Sequence, residues 1–175
     1  MAWQDRDLKR LKLFMEKCGL ELAKRPYSSS TGAAEYDDAR KRITIFLTDS
    51  EAKLKNKTEL ILTILHELGH HLDKDRFKED KLMDEALIRM NSGLISGDRK
   101  DIPKKYRRKI LQLEKSGLRH WVKLKKTLDL EIPLKKIELQ QKIDIFHYQH
   151  LYDEGSFPDR EKVRAYKRSL KSEGK

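Results

Sequence analysis

Apolar side chains along this 175-residue chain recur with two periods, and the switch between them marks out the elements. Leu8, Leu11, Phe14, Met15 and Cys18 fall three or four apart, so a helix is expected over residues 5–18, headed by Asp5 or Asp7. Residues 25–32 hold Pro26, three serines and Gly32, and read as a loop. Two short strands are expected at Ala33–Tyr36 and Ile43–Leu47, the second alternating Ile43, Ile45 and Leu47. Residues 37–41 between them suit a hairpin turn. The helical period returns at Leu60, Ile61, Ile64, Leu65, Leu68 and Leu72. Asn56-Lys57-Thr58-Glu59 ahead of it has the form of a capping box, with Asn56 as N-cap. Apolar density here exceeds that of an ordinary surface helix, which makes this the central one.

Three more helices are predicted. The first spans Asp80–Met90 and is stopped by Asn91-Ser92-Gly93. The second spans Lys104–Leu128, with Pro103 at its entry, and the third spans Leu134–Leu151 after a break at 129–133. From Asp153 the chain is charged and carries Gly155 and Pro158, so 153–175 reads as a basic tail, either a peripheral helix or partly disordered. Trp3 and Phe14 read as core. The expected fold class is α+β, a mostly helical single domain over residues 1–152 with a small β-hairpin or sheet packed against the central helix.

Composition changes this picture only at the surface. Lys+Arg 40 against Asp+Glu 29 gives a formal net charge of +11, which favours polyanionic and acidic partners. The densest basic run, Lys104-Lys105-Tyr106-Arg107-Arg108-Lys109, is either a phosphate-contacting patch or the solvated back of a helix whose other face holds Ile110, Leu111 and Leu113. Cys18 is the only cysteine, so no internal disulfide forms. The first residues lack a basic segment followed by an apolar run, and Leu60–Leu65 is too short to span a bilayer. A cytoplasmic location is expected, with no membrane partner.

The residues that carry chemistry are His66-Glu67-Leu68-Gly69-His70. Positions four apart on a helix lie one turn above each other, so both imidazoles face one side and can share a cation. Zinc takes neutral imidazole nitrogens, and catalytic zinc sites use three protein ligands with one position left for water. Glu67 is placed to take a proton from that water, whose pKa the metal lowers to about 7. Gly69 leaves room for another segment to approach the helix. Asp73, on the same face, could orient an imidazole or be a plain surface carboxylate. His71 points about 100° away and is read as a non-ligand. His147, His150, Tyr148 and Tyr152 read first as packing residues of their helix, and second as donors to an ion or an oxyanion.

Ile64-Leu65-His66-Glu67-Leu68-Gly69-His70-His71-Leu72 resembles the active-site helix of the ImmA/IrrE family of metallopeptidases, found in bacteria, phages and mobile elements. The strand Ile43–Leu47 and the polar linker before the helix are similar as well, and the resemblance extends loosely over residues 33–125. It implies a zincin-like domain and a third ligand from a glutamate on a later helix, typically in a Glu-x-x-Ala setting. Glu114-Lys115-Ser116-Gly117 keeps that spacing with glycine for alanine, and Trp121 lies two turns further on. Glu85-Ala86 is the alternative, without the spacing. The implied function is a zinc-dependent endopeptidase acting on an intracellular protein or peptide, often a transcriptional regulator, in the host cytoplasm if the chain is phage-encoded. The alternative is a basic nucleic-acid-binding protein with a structural or vestigial metal motif.

Overall fold

The computed structural model describes residues 5–26, 34–47, 57–73, 75, 78, 80–96 and 102–172. Its elements run α1 (Arg6–Lys17), β1 (Glu21–Pro26), β2 (Ala34–Asp37), β3 (Arg42–Leu47), α2 (Lys57–Asp73), α3 (Lys81–Ser96), α4 (Lys104–Leu118), α5 (His120–Thr127), α6 (Leu134–Glu154) and α7 (Arg160–Ser172). The architecture is α+β and mostly helical, with one three-stranded sheet. No described helix is long and apolar enough to cross a membrane.

Contacts divide the chain into two compact units. The first comprises residues 1–76 and 116–137, the second residues 77–115 and 138–175. Within residues 153–175, the segment expected as a basic tail or peripheral helix, the structure has helix α7, which groups with the second unit.

In the first unit, Asp5 caps α1 by accepting from the backbone N–H groups of Asp7 (2.9 Å) and Leu8 (3.4 Å). Burial pushes the Asp5 carboxyl up, but the Lys57 ammonium and the two backbone donors outweigh it and hold the group below its ordinary value. Asp7, the other candidate cap, is buried and accepts from the Glu131 N–H at 2.9 and 3.1 Å. The sheet order is β1-β3-β2, with β2 antiparallel to β3 and β1 parallel to it. Ile43, Thr44, Ile45 and Phe46 are all buried, as a central strand covered on both faces requires. Helix α2 packs on β2 and β3, and α1 packs on β1 and α2.

Several elements depart from the sequence pattern. β1 was not expected, because Glu21-Leu22-Ala23-Lys24-Arg25-Pro26 has no apolar alternation. It is an edge strand whose charged residues face water, with proline at its end. Helix α3 runs on through Asn91-Ser92-Gly93 to Ser96, since an interior glycine costs only about 1 kcal/mol relative to alanine. The helix expected over 104–128 is divided at Arg119, whose N–H bonds Ser116 O at 3.2 Å in a tighter turn. The Ser116-Gly117 pair immediately before is a common site of such breaks. Phe14 is only half-buried and Leu72 is exposed. The Asn56 cap, Trp3 and the loop residues 27–32 lie outside the described residues.

The second unit has its own core. Ala86, Ile102, Tyr106, Ile110 and Leu151 are buried together, with Leu82, Met90, Tyr148 and Phe157 packed against them. Helix α7 begins where the Asp159 carboxylate accepts from the Lys162 N–H at 2.8 Å.

Candidate metal centre

Helix α2 places its chemistry by register. Seen down the axis, His66, His70 and Asp73 share one face, and Glu67 lies on its flank about 60° from His70. The remaining arc carries Ile61, Ile64, Leu65 and Leu68, each no more than 1% exposed, so the helix is locked in rotation by its own core. The metal-capable face is therefore fixed before any ligand arrives.

His66 Nε2 and His70 Nε2 stand 3.1 Å apart, with ring planes at 73°. The same separation accommodates a proton shared between the rings. Two nitrogens each 2.0–2.1 Å from one ion at a tetrahedral angle would stand about 3.4 Å apart, so the pair also suits a common cation. Ligand atoms of His66, His70 and Glu114 lie within 4.8 Å of one another, and this His-His-Glu group could hold a metal ion. Its donor set, two imidazoles and one carboxylate, is the chemistry zinc accepts while leaving a fourth position open.

Glu114 is brought there by helix continuity. The unbroken helix α4 reaches Gly117 three residues later, and Gly117 packs directly on α2. A Cβ added to Gly69 would meet Gly117 O at 2.3 Å, and one added to Gly117 would lie 3.1 Å from His70 Nδ1. The first approach leaves no room for a side chain at Gly69, and the second is tight at Gly117. Once Gly117 is seated, Glu114 one turn before it faces the same way. Glu114 is 4% exposed and Glu67 8% exposed, burial that carboxylates rarely show without a compensating charge or donors.

Neighbouring residues hold the group in place. Trp121 is fully buried, with its ring edge-on to His66 at 5.8 Å. His71 turns away from the metal face and meets Tyr36 of β2, Nδ1 to Oη at 2.9 Å, tying α2 to the sheet. The Tyr36 hydroxyl also donates to Asp38 Oδ1, and burial together with that carboxylate pushes the phenol above its ordinary value. Asp73 Oδ1 meets the imidazole of His120, 3.4 Å from its Nε2.

Other candidates fall elsewhere. Glu85 is exposed and accepts from Tyr106 Oη at 2.6 Å, outside the His-His-Glu group. His147 Nδ1 lies 2.7 Å from Ile143 O, and His150 Nδ1 lies 2.8 Å from Ser156 O, so both rings serve their own helix and its end. Tyr148 packs on the second unit's core. His120 and Tyr36 were not singled out from the sequence, and neither sits in a motif that would betray it. Gly117 had a signal in hindsight, since a Ser-Gly pair inside an expected helix marks a close approach or a bend.

No protein-family profile, no characterised protein and no solved structure matches this chain.

Proposed function

We propose that this chain is a zinc-dependent peptidase of the kind its α2 helix resembles, the ImmA/IrrE metallopeptidases, hydrolysing an intracellular protein or peptide. The observation that carries the reading is the convergence of His66, His70 and Glu114 within 4.8 Å on the flank where Glu67 also lies. A zinc ion in that group would lower the pKa of a coordinated water to about 7 and polarise the scissile carbonyl. Glu67 takes the proton of the attacking water and passes it to the departing amine. Burial of Glu67 removes competing solvent and strengthens its interaction with the proton it handles. Trp121 covers the His66 ring and keeps bulk water from that side.

The test is zinc analysis of the purified protein together with casein cleavage, comparing wild type with His66→Ala and Glu67→Gln. Wild type should bind about one equivalent, and His66→Ala should lose it. Glu67→Gln should keep the zinc yet lose activity by about 10²–10⁴-fold. Equal, negligible zinc in wild type and His66→Ala would remove the proposal, as would undiminished cleavage by Glu67→Gln.

A further inference from the structure

The basic run that stands out in the sequence is largely occupied in the folded chain. Lys104 and Lys105 sit over the rings of Tyr152 and Tyr106 at 5.0 and 4.7 Å. Arg107 donates to the carbonyls of Leu151 and Tyr152, and Lys109 pairs with Asp80 at 2.5 Å. Tyr106 is core. Of the six residues, Arg108 is the exposed cation for which no such contact occurs among the described residues.

Helix α7 shows the opposite. Successive residues turn by about 100°, so Arg160, Arg164, Lys167 and Arg168 fall within about a 100° arc. All four are exposed, and among the described residues no carboxylate pairs with any of them. Glu161 is the helix's only acid and lies at the margin of that arc. Val163, Tyr166 and Leu170 form a separate, half-buried arc, and Tyr166 stacks on Phe146 at 4.2 Å. The apolar side of α7 is thus already used in packing, and the basic side is left open.

From this we infer that the Arg160–Arg164–Lys167–Arg168 face of α7 binds the phosphate backbone of a nucleic-acid duplex without reading its sequence. Three of the four cations are guanidinium groups, whose planar fork matches phosphate oxygens. From Arg160 to Arg168 the stripe extends about 12 Å, a length over which duplex DNA presents about seven charges. An anionic bilayer fits less well, because membrane-lying helices insert an apolar face and that of α7 is taken. Single strands are bound through stacking aromatics, and the basic arc contains none. This surface is independent of the metal centre.

Full-length protein is titrated into a fluorescein-labelled 20-bp DNA duplex at several salt concentrations, with fluorescence anisotropy as readout. The variants are Arg160→Gln/Arg164→Gln/Lys167→Gln/Arg168→Gln on α7 and Arg108→Gln on α4. Wild type should bind at 50 mM salt, and log K should fall with log salt. The α7 variant should bind at least ten-fold more weakly, with the salt slope reduced by up to about 4. Arg108→Gln should change the slope by no more than about 1. Circular dichroism and zinc content matching wild type would show that the α7 variant is folded. Unchanged affinity and slope in that variant would overturn the inference, as would absence of wild-type binding at 50 mM salt. Binding to vesicles containing phosphatidylserine but not to the duplex would overturn it as well.

Discussion

Gly69 and Gly117 meet so closely that a Cβ on the first would stand 2.3 Å from the carbonyl oxygen of the second. Backbone cannot give way as a flexible side chain would, so Gly69→Ala must push the end of α4 off α2. Alanine's better helix propensity offsets about 1 kcal/mol of a strain near 3 kcal/mol, leaving a net loss of about 2 kcal/mol. Thermal unfolding should show a drop of roughly 4–8 °C for a chain of this size. Gly117→Ala meets the His70 ring at 3.1 Å and the His70 backbone nitrogen at 3.4 Å, wider approaches than at Gly69, and should cost less. A Gly69→Ala protein as stable as Gly117→Ala would contradict the contact.

The two candidate third ligands separate cleanly in their expected responses. Glu114→Gln should weaken zinc binding by at least ten-fold, because a neutral amide replaces the carboxylate in the His-His-Glu group. Glu85→Gln should leave zinc affinity at the wild-type value and cost about 1 kcal/mol through the Tyr106 hydrogen bond. Competition with a chromogenic chelator measures the first, and chemical denaturation the second. Reversal of the two affinities would move the ligand role to Glu85.

Trp121 should report on the metal. Its ring lies 5.8 Å from that of His66, so a cation on the imidazole alters the indole's local field. Adding zinc to metal-stripped protein should change the intrinsic emission, and the change should vanish in Trp121→Phe although Trp3 is still present. A full-size zinc response in Trp121→Phe would show that the signal comes from elsewhere.

Tyr36→Phe should destabilise the fold by about 1 kcal/mol, the value of the hydrogen bonding that ties β2 to His71 of α2. The wild-type phenol is held above its ordinary value of 10.0 by burial and by Asp38. The folded state therefore keeps a proton that the unfolded chain releases. This contribution is fully present below pH 10 and is lost as pH rises from there through the folded-state pKa. Urea midpoints at pH 8 and above pH 10 should converge for wild type and Tyr36→Phe at the higher pH. A constant gap between them would refute the linkage.

Much of the fold was legible because periodicity is a local property. The stripe from Leu8 to Met15, the alternation at Ile43 and Ile45, and the dense apolar helix around Leu65 each announce their element. β1 was hidden because an edge strand has little to bury, and the end of α3 because a glycine carried inside a helix looks like a stop. At the site, His66, Glu67 and His70 were readable since their relationship is fixed by one helix. Glu114 could be nominated only through the resemblance to a family whose Glu-x-x-Ala setting it nearly keeps, and its seat depends on two glycines from distant parts of the chain. Charge was the least legible feature. Composition cannot tell the spent cations of Lys104–Lys109 from Arg160, Arg164, Lys167 and Arg168 of α7, which no carboxylate among the described residues pairs with, because only packing decides the difference.

β1 carries a further implication for how the protein behaves when concentrated. Its outward row of backbone groups is a template onto which another copy could add a strand. Lys24, Arg25 and the closing Pro26 stand along that margin, each cation repelling its twin and the proline offering no N–H to share. Ribbon-like self-association through this margin is thereby discouraged, and the chain should stay dispersed at concentrations where a bare apolar margin would drive it into fibrils.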